Sequence, residues 1–211
     1  MQLPELTRSL DTPYQIETRD QFPTLLNDLG LTGIAAEIGV QKGVYSKVLL
    51  DNWQGQKVYL VDAWRQFGTG REDFDNPDPN GQLLHFSETF KATYFHYDRA
   101  VIIKELSVEA AKLFPDKFFD FVYIDAAHDV ENVQKDLNAW FRKVKCGGIF
   151  AGHDYYDGHV HLKNERVDEY VENRVKSVVD SFFAKLGLAV MGTTADLFPS
   201  WYVQNWEVND E

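Results

Sequence analysis

The chain has 211 residues, a formal net charge of −12 and one cysteine, Cys146. That length suits a single domain with a real core, the charge opposes DNA or RNA as main partner, and one cysteine excludes an intrachain disulfide or a cysteine-based zinc cluster. No apolar run approaches the roughly 20 residues that span a bilayer, and the opening Met1-Gln-Leu-Pro-Glu-Leu-Thr-Arg lacks the pattern of a signal peptide, so a cytoplasmic protein is expected.

In chain order, short apolar runs alternate with segments of helical period. Residues 1–33 read as a helical lead-in. Ile34-Ala-Ala-Glu-Ile-Gly reads as a buried strand closing on a glycine turn, followed by a helix from Val44 to Leu50. Lys57 to Asp62 is a second strand. Arg65 to Gln82, rich in Gly, Asp, Asn and Pro, is a long irregular stretch of the kind that forms lids or stays disordered. Leu83, Phe86, Phe90 and Tyr94 then make a helical stripe. Ala100 to Lys104 is a third strand, and Ser107 is placed to cap a helix from Val108 to Leu113. Phe119 to Asp125 is a fourth strand. Val130, Val133, Leu137, Phe141 and Val144 form a helix face that Gly147-Gly148 should stop. Ile149 to Gly152 is a fifth strand. Val171, Val175, Val178 and Phe182 mark one long helix through Leu186. Two strands, near Leu188–Met191 and at Trp201–Gln204, close the chain and should pair antiparallel. The expected fold is α/β: a Rossmann-like, doubly wound, mostly parallel seven-stranded sheet with an antiparallel C-terminal edge pair.

Ligands of such sheets bind at the carboxyl ends of the strands. The first strand ends Glu37-Ile-Gly39-Val-Gln-Lys-Gly43. Gly39 and Gly43 let the backbone turn tightly and come close to a ligand. A dinucleotide turn needs a glycine where Gln41 stands, and no Gly-Lys-Ser/Thr phosphate loop occurs. Glu37 would repel a pyrophosphate but suits a cation. Asp62, ending the second strand, can accept hydrogen bonds from ribose hydroxyls. Ser107 suits an adenine edge or a helix cap. Asp125, followed by Ala-Ala-His128, ends the fourth strand. A ligand with a ribose, an adenine and a cationic end but no phosphates fits these residues, and S-adenosylmethionine has those parts.

Four segments carry a resemblance: Ala36-Glu-Ile-Gly-Val-Gln-Lys-Gly-Val-Tyr-Ser, Val58-Tyr-Leu-Val-Asp-Ala-Trp, Phe119-Asp-Phe-Val-Tyr-Ile-Asp-Ala-Ala-His and Cys146-Gly-Gly-Ile-Phe-Ala-Gly-His-Asp-Tyr. In that order they resemble class I S-adenosylmethionine-dependent methyltransferases, and among these the small family related to macrocin-type O-methyltransferases. The resemblance implies Glu37, Gly39 and Gly43 around the methionine part, Asp62 on the ribose and Ser107 near the adenine, with Trp64 counted in the cofactor set. It also implies Asp125 beside the sulfonium and the acceptor.

Methyl transfer to oxygen benefits from a general base or a metal that stabilises the alkoxide. Two strand ends face the expected acceptor position: Asp125 with His128, and His153-Asp154-Tyr155. His128 is the candidate base, with an unperturbed pKa near operating pH. Related O-methyltransferases hold a divalent ion at these two strand ends, and Asp125 and Asp154 match acidic ligand positions. His153 departs from that oxygen-rich set, because imidazole favours zinc, iron, nickel or copper. The metal set expected here is Asp125, His153 and Asp154, with the metal-free route preferred. Trp64, Phe67, Phe74, Tyr155 and Tyr156 could wall the acceptor. The expected partner is a small-molecule acceptor, with no nucleic acid or membrane, and a homo-oligomer is left open. The rival readings are a nucleotide-dependent oxidoreductase and a non-catalytic S-adenosylmethionine-binding protein.

Overall fold

A computed structural model of the chain describes residues 15–67, 77–163 and 168–205. A 3-10 turn, Arg19–Gln21, leads into α1 (Phe22–Asp28), followed by β1 (Ile34–Ile38), α2 (Val44–Asn52), β2 (Lys57–Asp62) and α3 (Pro79–Thr93). Next come β3 (Ala100–Lys104), α4 (Ser107–Ala111), β4 (Phe119–Ile124), α5 (Val130–Trp140) and β5 (Val144–Gly152). The chain continues through β6 (Gly158–Lys163), β7 (Asp168–Asn173), α6 (Val175–Ala184), β8 (Met191–Gly192) and β9 (Trp201–Gln204).

Seven strands form one sheet in the order β3-β2-β1-β4-β5-β9-β8. β1 to β5 pair in parallel, whereas β9 pairs antiparallel with both β5 and β8. The expected sheet is therefore present. Successive strand residues point to opposite faces, which divides the core into two layers. Ala36, Ile38, Phe119, Val122 and Phe150 meet α4, α5 and α6 on one face. Ala35, Phe121, Tyr123, Ile149 and Tyr202 meet α1 and α2 on the other. Because β1 and β4 are covered on both faces, they read as continuous apolar runs interrupted by Glu37 and Asp120. Asp120 is buried with its Oδ2 accepting the Ile34 N–H at 2.6 Å and its Oδ1 accepting from Lys145 at 3.0 Å.

Several local expectations change. Gly147 and Gly148 do not stop a helix; α5 ends at Trp140, a 3-10 turn covers Phe141–Lys143, and both glycines lie inside β5. A Cβ on Gly148 would stand 2.9 Å from the Asp120 carbonyl oxygen, so the glycine serves strand packing. Val171 belongs to β7, which pairs antiparallel with β6 in a separate two-stranded ribbon, and the helix begins only at Val175. The Asn173 side chain accepts the Val175 N–H at 3.0 Å, an Asx-type turn that marks this boundary. The penultimate strand is shorter and later than expected, at Met191–Gly192. α3 starts at Pro79, inside the irregular stretch, while residues 68–76 of that stretch and 1–14 of the lead-in lie outside the described residues.

Candidate active site

The chain runs outward from β1 through β2 to β3, then returns to place β4 on the other side of β1. The carboxyl ends of β1 and β4 thus meet at the point where strand order reverses, which is where open α/β sheets hold ligands. Gly39 has φ 89° and Gly43 φ 76°. A Cβ on Gly39 would lie 1.8 Å from the Asp125 carbonyl oxygen, and one on Gly43 would lie 3.2 Å from Thr89 Cα in α3. The close neighbours these glycines admit are other parts of the chain. Between them Gln41 holds φ 51°, a left-handed conformation that costs a non-glycine residue energy.

Asp62 secures this turn. Its Oδ2 accepts the N–H groups of Val40 at 3.0 Å and Gln41 at 2.8 Å, and its Oδ1 accepts the Trp64 N–H at 2.7 Å. A carboxylate offers about four acceptor sites, so capacity remains for a hydroxyl. Trp64 is also left-handed, at φ 39°, and its indole Nε1 donates to the Gln41 carbonyl at 2.8 Å. Asp154, at the end of β5, is left-handed at φ 57°. Three of the four described non-glycine residues with positive φ therefore sit at strand ends around this crevice, and strained backbone of this kind concentrates at functional sites.

Glu37 lies beneath the turn, only 2% exposed, accepting from the Ser46 hydroxyl at 2.5 Å. Burial raises its carboxyl to about 8, against the lowering influence of Ser46. The buried Tyr45 hydroxyl has no hydrogen-bond partner among the described residues, and Glu37 and Arg19 are among the groups whose charge acts on it. Sequence reasoning missed Arg19. Its guanidinium stands 5.2 Å from the Tyr45 ring centroid, and its Nη1 donates to Asp125 Oδ2 at 3.2 Å. Its backbone N–H is fixed by Asp196 at 2.9 Å. No local pattern marks such a residue, because the contact joins positions 106 apart in sequence.

On the acceptor side, β4 delivers Asp125 and β5 delivers His153 and Asp154. His128 Nε2 lies 2.8 Å from Asp154 Oδ2, while His153 Nδ1 lies 3.5 Å from Asp154 Oδ1 and 3.6 Å from Asp125 Oδ1. Ligand atoms of Asp125, His128 and Asp154 all lie within 4.8 Å of one another. The tight donor group thus contains His128 where His153 was expected. The two carboxylates differ in character. Burial raises the Asp125 carboxyl, outweighing His153 and Arg19, and the charge of Asp154 adds to the rise. Burial also opposes ionisation of Asp154, but hydrogen bonds from His128 and His153 win and hold it well below the usual carboxylate range. Acid–base enzymes separate paired carboxyl groups in the same manner.

Ser107 does not cap its helix as one sequence reading expected. It is the first residue of α4 and makes no side-chain cap. Its hydroxyl donates to Asp136 at 2.5 Å and accepts from Trp140 Nε1 at 2.9 Å, so it ties α4 to α5. Its one donor hydrogen is therefore engaged away from an adenine. Among the aromatics, Trp64 is buried, Tyr155 and Tyr156 are half-buried, Phe67 is half-exposed, and Phe74 lies outside the described residues.

A family model described as a methyltransferase domain matches residues 36–155, more than half of the chain. No curated protein matches the sequence. Among solved structures, the chain is similar to an S-adenosylmethionine-dependent methyltransferase from Aquifex aeolicus, at 15% identity and TM-score 0.56, covering 89% of each chain. It is also similar to the Burkholderia thailandensis 1,6-didemethyltoxoflavin-N1-methyltransferase, solved with S-adenosylhomocysteine, at 12% identity and TM-score 0.57, covering 90% of this chain and 80% of that one. An O-methyltransferase family protein from the same organism matches at 13% identity and TM-score 0.60, covering 90% of this chain and 56% of that one. At such identities the likeness concerns the fold, and N- and O-methyltransferases share it. The matched segment contains the glycine turn, Asp62, Asp125 and Asp154, and the chain belongs to this methyltransferase-domain family.

Proposed function

We propose that the protein moves the methyl group of S-adenosylmethionine to an oxygen atom of a small-molecule acceptor, with His128 as general base. The observation that carries this reading is the 2.8 Å contact between His128 Nε2 and Asp154 Oδ2 beside Asp125. It joins a titratable imidazole to a carboxylate that favours its cationic form, at the mouth of the cofactor crevice. Neither the oxidoreductase nor the non-catalytic reading is favoured.

The cofactor's chemical parts fit the donors present. Glu37 and the unpartnered Tyr45 hydroxyl suit the ammonium and carboxylate of an amino-acid end, and Arg19 offers that carboxylate a cation. Asp62 has acceptor capacity left for ribose hydroxyls. When bound, the sulfonium provides an electrophilic methyl group. The chain's own part is then to orient the acceptor and take its proton. His128 removes the hydroxyl proton, and Asp154 holds the imidazole in place and stabilises its charge. The side chains around Asp125 would hold the acceptor oxygen in line with the carbon–sulfur bond that breaks on transfer.

A divalent ion is a second reading, favoured by the spacing of Asp125, His128 and Asp154. Two carboxylates and one imidazole fit zinc or iron better than a purely oxygen-seeking ion. Such an ion would lower the pKa of an acceptor hydroxyl.

Labelled S-adenosylmethionine and a metabolite extract, with and without chelator, test these readings. A chelator-resistant product methylated at oxygen is the expected result. Loss of labelling with chelator, restored by one metal, would select the metal reading. A product methylated at nitrogen or carbon would overturn the choice of acceptor atom.

A further inference from the structure

α3 packs in an inverted sense. Its buried residues are Gln82, His85, Thr89 and Thr93, all polar. The threonine hydroxyls donate to helix carbonyls, Thr89 to His85 at 3.1 Å and Thr93 to Thr89 at 2.9 Å, so burying them leaves no donor unmet. Small side chains on this face let α3 approach Gly43, where an added Cβ would meet Thr89 and Ala92. Apart from Phe86, which packs on Trp64, the large apolar residues consequently point outward. Leu83 is 62% exposed, Phe90 51%, Tyr94 68% and Phe95 87%, with Leu84 and Tyr97 also exposed.

This is more than scattered surface hydrophobicity. Ser87, Phe90, Lys91, Tyr94 and Phe95 together line an open depression. Tyr94 and Phe95 pack edge to face at 5.3 Å, and Phe90 packs on Phe86, which packs on Trp64 of the cofactor crevice. With aromatic side chains of about 150–250 Å² each, the exposed apolar area is on the order of 600–800 Å². Monomers rarely show contiguous patches beyond roughly 300–600 Å², and a stable interface buries about 800 Å² per partner.

We infer that this face of α3 and the following turn is where a second copy of the chain docks, across a two-fold axis. The area matches one half of such an interface, and a two-fold pairing covers both patches at once. Charge points the same way. Residues 83–97 hold one acidic and one basic residue, Glu88 and Lys91, within a chain of net charge −12. Two copies can meet there without the repulsion that the rest of the surface would impose. The same overall charge disfavours an anionic lipid surface as the occupant.

Sedimentation velocity of the full chain between about 1 and 100 μM tests this, a range chosen to bracket micromolar association. The expected species has twice the 24.3 kDa chain mass. The double variant Tyr94→Glu/Phe95→Glu should sediment at the chain mass while keeping its thermal shift with S-adenosylmethionine. A control charge at Leu197, 88% exposed and outside the patch, should leave the doubled mass intact (Leu197→Glu). Wild-type protein at the chain mass throughout would overturn the inference, whether or not it floats with lipid vesicles. A doubled mass that survives the double variant would overturn it as well.

Discussion

His128 Nε2 and Asp154 Oδ2 stand 2.8 Å apart, bridging the loop after β4 to the end of β5. If His128 is the base, His128→Ala should lower turnover by about 10²–10⁴-fold with cofactor affinity nearly unchanged. Asp154→Asn should keep the imidazole in place but remove its charged partner, shifting the pH–rate profile to lower pH. Initial rates of labelled methyl transfer across pH check both. A His128→Ala enzyme with wild-type turnover would leave positioning alone to explain catalysis.

If Glu37 meets the cofactor's cationic end, it should link binding to pH. Its folded carboxyl lies at about 8 against an ordinary 4.5. Between those values the folded chain keeps a proton that the unfolded chain releases. Stability from this group is therefore full below about pH 4.5 and is lost as pH rises toward 8. A cationic ligand beside Glu37 favours the charged form, so binding near pH 6–7 should release up to one proton. Calorimetry in two buffers of different ionisation enthalpy reads that number directly. Glu37→Gln should abolish the release; equal heats for the wild-type protein in both buffers would remove Glu37 from the binding site.

Asp62 serves two ends at once. Removing it leaves the N–H groups of Val40, Gln41 and Trp64 without their acceptor. Asp62→Ala should weaken cofactor binding by about 1–3 kcal/mol and lower the melting temperature of the free protein. Thermal melts and calorimetry separate the two effects. Lost affinity with an unchanged melt would mean that the turn holds its shape without Asp62.

Gly39 and Gly30 share a positive φ, 89° and 70°, but not their surroundings. A Cβ on Gly30 meets nothing within 4 Å, whereas one on Gly39 meets Asp125 at 1.8 Å. Gly30→Ala should cost about 1–2 kcal/mol, the left-handed penalty alone. Gly39→Ala should cost more, at least about 3 kcal/mol, because β1 and β4 must separate. Denaturant melts of both variants give the comparison, and equal losses would show that the strand tips can yield.

The sequence alone determined the strands and the turn of the crevice. β2 and β9 have the bounds expected, β1 ends where its glycine turn was read, and Glu37, Asp62, Asp125 and Asp154 all fall at strand ends. These features are legible because a parallel strand covered on both faces is a near-continuous apolar run, and its end must change composition. What a side chain meets across the sheet is a different matter. Local periodicity marked α3 as a helix but assigned no inward face, and the packing of Thr89 against Gly43 turned Leu83, Phe90 and Tyr94 outward while Phe86 stayed on Trp64. Ser107 looked like a helix cap until α5 brought Asp136 and Trp140 to its hydroxyl. Gly147 and Gly148 looked like a helix stop until β4 lay against them. Arg19 reached the crevice through a contact 106 residues distant. Tertiary structure decided these because pairings between distant elements depend on which surfaces come together, and periodicity within one segment carries no record of its neighbours.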